Sequence, residues 1–384
     1  MNRLAFALTG ILAVLMYACS ADPPNAIGLK LIPAKDALHY DSLVAPPISD
    51  SIYRERSVDD GLNTLLGITQ SGTTQPDTAY AMFQFNTLIV PLQPTDTMIS
   101  RNITLRIRSR FPDSTGTFGF TVHNTRYSWN STTVTWDTLP ILQTSDTVLA
   151  TVDTTIAGSD TMITIPIDTG TVHDWNLATL AAIILEPLPG TTMILGFDNI
   201  NTGFLPQYNV TYRHAGDTTT LSFNSPAYGR TSVVNGPLPV GPPDLIYCQG
   251  GIAYRLKLKF DVSKLPANAS VIDATLDLFT DPSLTIPMVY STDSVVAHEA
   301  LNDSVPPTPS GLLAYGKPVT PTSNEYTFQL NVLTQQWIAR KFNYGLIIHD
   351  ANENSAMDLF AFHGVTAADT TQRPRLRIRY TILP

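Results

Sequence analysis

A period of two between apolar and polar positions runs through most of the chain. In residues 103–110 (ITLRIRSR), Ile103, Leu105 and Ile107 fall on one side and Thr104, Arg106 and Arg108 on the other. Residues 254–262 (YRLKLKFDV) set Tyr254, Leu256, Leu258 and Phe260 against Arg255, Lys257, Lys259 and Asp261. The chain closes with Leu376, Ile378, Tyr380 and Ile382 against Arg375, Arg377, Arg379 and Thr381. Successive side chains of a strand point to opposite faces, so this pattern predicts half-buried strands with one wet face. Such strands favour antiparallel sheets, because parallel ones are covered on both sides. The expected fold class is all-β.

Two stretches break the period in the same way. Residues 331–350 (NVLTQQWIARKFNYGLIIHD) and 168–186 (DTGTVHDWNLATLAAIILE) each read as a short helix carrying a tryptophan, a polar break, then a buried strand. Leu333 and Trp337 stand four apart and Val172 and Trp175 three apart, so each pair shares one helix face that the following strand is placed to cover. Other landmarks recur in the same order: residues 79–86 with 253–261, 99–105 with 272–278, 194–197 with 359–362, and 205–212 with 373–380. Order and rough spacing persist while loops differ, as in two copies of one domain. The seam is expected at 213–217 (RHAGD), giving units 49–213 and 217–384, each of about 165 residues and each large enough to own a core.

Of 384 residues, 43% are apolar and 14% charged, which suits packed cores, and the net charge of −9 argues against nucleic acid as a partner. The two cysteines, Cys19 and Cys248, allow no disulfide framework, and Cys248 within LIYC reads as a small apolar strand residue. At the N-terminus, Arg3 precedes an apolar stretch, residues 4–16, that is too short to span a bilayer and reads as a signal-peptide core. The tail Met16-Tyr17-Ala18-Cys19 resembles a bacterial lipobox. That resemblance implies removal of residues 1–18, lipidation of Cys19, a proline-punctuated tether over 19–48, and a membrane partner held through lipid. Ser20 in place of Asp points to the outer membrane, on its surface or periplasmic side.

Residues 129–140 (WNSTTVTWDTLP) resemble the W-x-E-x-T-V-T-W-x-x-x-P signature of bacterial DNRLRE domains, with Ser131 where the pattern has Glu. In the first copy Phe85-Asn86 and residues 206–212 fit the family's later landmarks; in the second, Phe260-Asp261-Val262, Asn343-Tyr344-Gly345-Leu346 and residues 373–380 do so, without the double tryptophan. The resemblance implies two tandem jelly-roll β-sandwiches, an accessory module of surface proteins and polysaccharide-degrading enzymes, and polysaccharide as ligand. Residues 25–33 (NAIGLKLIP) are also similar to Bacteroidetes outer-membrane lipoproteins.

Residue chemistry is sparse. No nucleophile elbow, phosphate loop, zinc helix or dinucleotide fingerprint is present, so the chain reads as non-catalytic and without cofactor. Trp129 and Trp136 are the candidate sugar-stacking rings on family grounds, although their spacing also suits a motif packed on its own sheet. Asp350, Asn352 and Asn354 open like a calcium loop, D-x-N-x-N, but Ser355 stands where an EF-hand needs Gly and Ala361 where it needs Glu. His349 and His363 close matching strands. The leading expectation is a polysaccharide-binding lipoprotein of the envelope, and the alternative is a structural or assembly lipoprotein that docks other envelope proteins.

Overall fold

The computed structural model describes residues 39–55, 62–69, 76–86, 95–125, 129–139, 143–167, 181–200, 204–289, 293–340 and 342–382. Cys19, the leader, most of the tether and the helical stretch expected around Val172 and Trp175 lie outside them. Through the first half the strands are β1 (His39–Ala45), β2 (Pro47–Arg54), β3 (Asn63–Thr69), β4 (Asp77–Phe85), β5 (Thr97–Phe111), β6 (Gly116–Thr125), β7 (Gln143–Ile156), β8 (Met162–Pro166), β9 (Ala181–Pro187), β10 (Ile194–Asp198) and β11 (Gln207–Arg213). There follow β12 (Leu221–Asn235), β13 (Leu245–Gln249), β14 (Tyr254–Phe260), β15 (Ala269–Phe279), β16 (Val295–Ala300), β17 (Pro309–Pro318), β18 (Glu325–Gln329), the helix α1 (Asn331–Arg340), β19 (Leu346–Asp350), β20 (Leu359–His363) and β21 (Arg375–Ile382).

The fold is all-β, built from two curled antiparallel sheets in sandwich-like layers. In the first, the strand order is β12-β11-β5-β10-β3-β4-β9-β6-β7, with β8 on β5 and β12 also on β4. In the second it is β1-β21-β15-β18-β17-β16-β19-β14-β13-β20, with β2 on β14. Each sheet folds over its own core. One holds Phe83, Phe85, Phe118, Phe120 and Phe197 with the inward residues Ile103, Leu105 and Ile107 of β5. The other holds Phe260, Phe328, Phe360 and Phe362 with Leu376, Ile378 and Tyr380 of β21. Each fully buried Phe contributes about 1.5–3 kcal/mol by leaving water. α1 forms where its pattern predicts, with Leu333 and Trp337 buried in the second core, but it lies mainly along β15 rather than on the strand that follows it, and Gln335 pins it there by accepting from Val271 N at 2.8 Å.

Pairing crosses the seam expected at 213–217. β12 follows that seam yet belongs to the first sheet; β1 and β2 fall in and just beyond the expected tether yet belong to the second. The two segments do the same job. β12 pairs with β11 as far as Pro226, then with β4 from Ala227 onward, with a register shift before Gly229. In the second sheet β1 pairs with β21 up to Ala45, and β2 pairs with β14 from Pro47. Proline stands at both changes of partner, where a strand can spare an N–H. A Cβ at Gly229 would meet Gln84 Oε1 at 2.2 Å, so any larger residue there requires the Gln84 side chain to move. Each sheet is thus completed by a strand from the sequence preceding the other sheet's strands.

The exchanged strands meet where the two sheets touch. Arg54, ending β2, donates to Asn235 Oδ1 at 2.7 Å and Val234 O at 3.2 Å at the end of β12. Beneath them Leu65, Ala79, Phe111, Ile194 and Val234 pack on Ile252, Met288, Ala356 and Met357. Two hydrogen bonds from buried amides cross this contact, Gln249 Nε2 donating to Asp77 Oδ2 at 3.0 Å and Asn63 Nδ2 to Ser355 O at 3.0 Å, while Asn63 Oδ1 and Gln249 Oε1 are buried without a partner.

Candidate functional site

Residues 129–139 form two tight turns on the outer side of the first sheet. Asn130 O accepts from Thr133 N and Val134 N at 3.0 and 3.1 Å, and Thr135 O accepts from Thr138 N and Leu139 N, both at 3.1 Å. Asn130 Oδ1 takes Thr132 N at 3.0 Å. These turns press Trp129, Val134 and Leu139 onto Met82, Ile184 and Val233, the residues of β4, β9 and β12 that face away from the core. Trp129 is only 8% exposed, and Gln84 holds its carbonyl at 3.1 Å. Trp136 is half-buried and edge-on to Tyr80, ring centroids 5.6 Å apart. The motif therefore acts as a cover for a sheet face, and Trp129 has no open ring face to offer a sugar. Trp337 lies within the second core.

The D-x-N-x-N loop follows β19. Asp350 is wholly buried, and its Oδ1 caps the turn by accepting from Asn352 N at 2.8 Å. Asp350 Oδ2 is buried without a hydrogen-bond partner. Burial, then the nearby Asp358, raises its pKa well above the usual carboxylate range, so the protonated acid is favoured. Asn352 and Asn354 lie nearer the surface, and Asn352 O is taken by Ser355 N and Ala356 N at 2.8 and 2.9 Å. The first residue of the loop is thus turned inward and engaged in the turn. Among the described residues no three His, Cys, Asp or Glu side chains are grouped as metal ligands. Glu353, between the two asparagines, holds Arg255 in a fork at 2.9 and 2.6 Å. Cys248 is buried beside this loop, and burial pushes its thiol well up, away from the nucleophilic thiolate. His349 stacks on His298 with centroids 5.2 Å apart, and burial lowers its pKa, favouring the neutral ring.

A third place was not singled out in the sequence. The wet face of β5 carries Asn102, Thr104, Arg106 and Arg108, and its neighbours β8 and β11 add Met162, Gln207 and Asn209. The residues are tied to one another: Asn209 Nδ2 donates to Asn102 Oδ1 at 2.9 Å and to Thr104 Oγ1 at 3.2 Å, and Thr211 meets Ser222 at 3.3 Å. At one end lies a groove of about 450 Å³ lined by Thr104, Arg106, Thr161, Met162, Phe204, Leu205 and Gln207, within the size range of small-molecule sites. Arg106 stacks on Phe204, its guanidinium carbon 3.5 Å from the ring centroid. Arg108 instead pairs with the buried Asp198 at 3.4 Å. The alternation of ITLRIRSR shows that Arg106 faces water; nothing in it shows that Phe204, about a hundred residues later, comes to lie beneath it.

Comparison with known protein families and with curated proteins finds no match to this chain.

Proposed function

We propose that this chain is a non-catalytic bacterial envelope protein, anchored through lipid on Cys19, that binds polysaccharide on the wet face of its first sheet. The observation that carries this reading is the row of amide and hydroxyl side chains on β5, β11 and β12, where Asn209 is held by Asn102 and Thr104, and Thr211 meets Ser222. Such groups both donate and accept, and sugar hydroxyls do the same. Because they are fixed before a ligand arrives, little side-chain freedom is lost on binding. The lipobox-like Met16-Tyr17-Ala18-Cys19 and the DNRLRE-like residues 129–140 support the same address and ligand class, as two tandem jelly-roll units would.

Affinity gel electrophoresis of the purified full-length chain through neutral and acidic polysaccharides tests the reading. Retardation by at least one polymer, weakened by Asn209→Leu, supports it; free migration through all of them refutes it. Conversion of Cys19→Ala is expected to release the chain from the membrane fraction. A second reading, a docking lipoprotein of the envelope, is favoured by β1, an edge strand among the described residues, whose Tyr40 and Val44 are 71% and 61% exposed. Unpaired edges accept further strands, and a crosslink from position 40 to a second envelope protein in cells would support it.

A further inference from the structure

Around the start of β1 the second sheet leaves a run of large apolar side chains in water. Tyr40, Ile48, Ile272, Val332 and Phe342 are each 40% or more exposed, and local contacts join them into one surface. Tyr40 and Ile272 line a groove of about 440 Å³ with Asp41, Ser42 and Arg379. Ile272 O accepts from Asn331 Nδ2 at 3.3 Å, which sets the first turn of α1, and Val332 with it, beside that groove. The helix leads on to a second groove of about 360 Å³, where Ile338 and Phe342 share a lining with Ile48, Leu265 and Lys259. Single exposed apolar residues mean little, but a connected run of them marks a protein partner or a membrane.

Position and charge favour the membrane. Residues 20–38 separate Cys19 from β1, so lipid on Cys19 draws this end of the molecule toward the bilayer. Each groove holds both a cation and a carboxylate, Arg379 and Asp41 in one, Lys259 and Asp261 in the other. Arg379 touches Asp273 at 3.2 Å yet keeps its side chain 69% exposed. A phosphoethanolamine headgroup carries the complementary charges on its phosphate and ammonium, and amphipathic rings such as Tyr40 settle at headgroup level. We infer that this end of the second sheet is a membrane-docking face, in which Tyr40, Val332 and Phe342 enter the headgroup layer of a phosphatidylethanolamine-containing bilayer and Arg379 meets lipid phosphate. The inference rests on the lipid-anchor reading above and adds an orientation to it. Because the contact with the first sheet lies at the other end of β2, at Arg54, the first sheet projects away from the bilayer.

The test reconstitutes the full-length lipidated chain into vesicles of phosphatidylethanolamine and phosphatidylglycerol that carry a spin-labelled lipid. A bimane probe is attached in turn at Val332→Cys, at Phe342→Cys and, as a control on the first sheet, at Met162→Cys. Cys248 is wholly buried and Cys19 is taken by lipid, so each label is single. Quenching at positions 332 and 342 is expected to exceed that at 162 by about threefold or more, since docked side chains reach about 5–10 Å into the headgroup region. Arg379→Glu is expected to lower quenching at 332 by about twofold, with an unchanged circular dichroism melt and no change at 162. A chain that floats with the vesicles but is quenched equally at all three positions overturns the docking face while the lipid anchor stands. A chain that stays out of the vesicle fraction overturns the anchor, and the docking face with it. Equal quenching together with a crosslink from position 342 to a second envelope protein in cells gives the surface to a protein partner and likewise overturns the inference.

Discussion

Replacing Trp129 by alanine separates a packing role from a ligand role for the double-tryptophan motif. The side chain is 8% exposed and packs on Met82, Ile184 and Val233 with Val134 and Leu139. A buried indole removes roughly 200 Å² from water, which at about 25 cal/mol per Å² gives an upper figure near 5 kcal/mol. The site lies on a sheet's outer side rather than in the central core, so the lower part of the range for such truncations, about 3 kcal/mol, is expected. Trp129→Phe refills most of the space and removes the indole N–H, which is buried without a partner; its cost should stay below about 1.5 kcal/mol. Urea unfolding followed by circular dichroism measures both, with affinity electrophoresis run on the same variants under native conditions. The reasoning is refuted if Trp129→Ala unfolds at the wild-type urea concentration yet loses polysaccharide retention, since that is the behaviour of an exposed stacking ring.

Asp350→Asn should flatten part of the pH dependence of stability. A carboxyl whose folded pKa is raised holds its proton longer in the folded state than in the unfolded one. The cost it imposes is absent below the unfolded carboxylate pKa and grows as pH rises from there towards the folded value, by at most about 1.4 kcal/mol per pH unit. The variant should therefore gain on wild type as pH rises above the ordinary carboxylate range, by thermal melts, and a constant difference across pH would contradict the assignment. Glu353→Ala strips Arg255 of its forked partner and leaves it the longer contact to Glu55 at 3.4 Å; a loss of about 3–5 kcal/mol is expected, and an unchanged urea midpoint counts against it. Fragments 49–213 and 217–384, cut at the sequence seam, lack β12 and both β1 and β2 respectively and should fail to melt cooperatively, whereas 62–235, which carries β3 to β12, should do so.

That last contrast marks where sequence reasoning stopped. Strands such as β5, β14 and β21 are legible because one face meets a core and the other water, so composition alternates locally. α1 was legible from Leu333 and Trp337 for the same reason. β1 lies in the stretch that reads as tether and β2 mostly in the start of the first unit, yet both join the second sheet: Tyr40, Val44 and Ile48 stay exposed, prolines punctuate the stretch, and the pairing partner of His39 is Ile382, at the far end of the chain. β12 hides behind Pro226 and Gly229 in a similar way. For the candidate site, the packing of Trp129 on its own sheet was legible in the spacing of the motif, whereas the full burial of Asp350 has no local signal in the D-x-N-x-N pattern. The Arg106 and Phe204 pair depends on a long-range approach that has no local pattern.

The most direct test of the account is hydrogen exchange of the full-length chain with and without an oligosaccharide of a polysaccharide that retards it. Slowed exchange is predicted in peptides covering residues 101–108, 160–166 and 204–211, the strands and loop that carry Arg106, Met162 and Phe204, with the 129–139 turns unchanged. Protection confined to the 129–139 turns or to the second sheet, or no protection at saturating oligosaccharide, would contradict it.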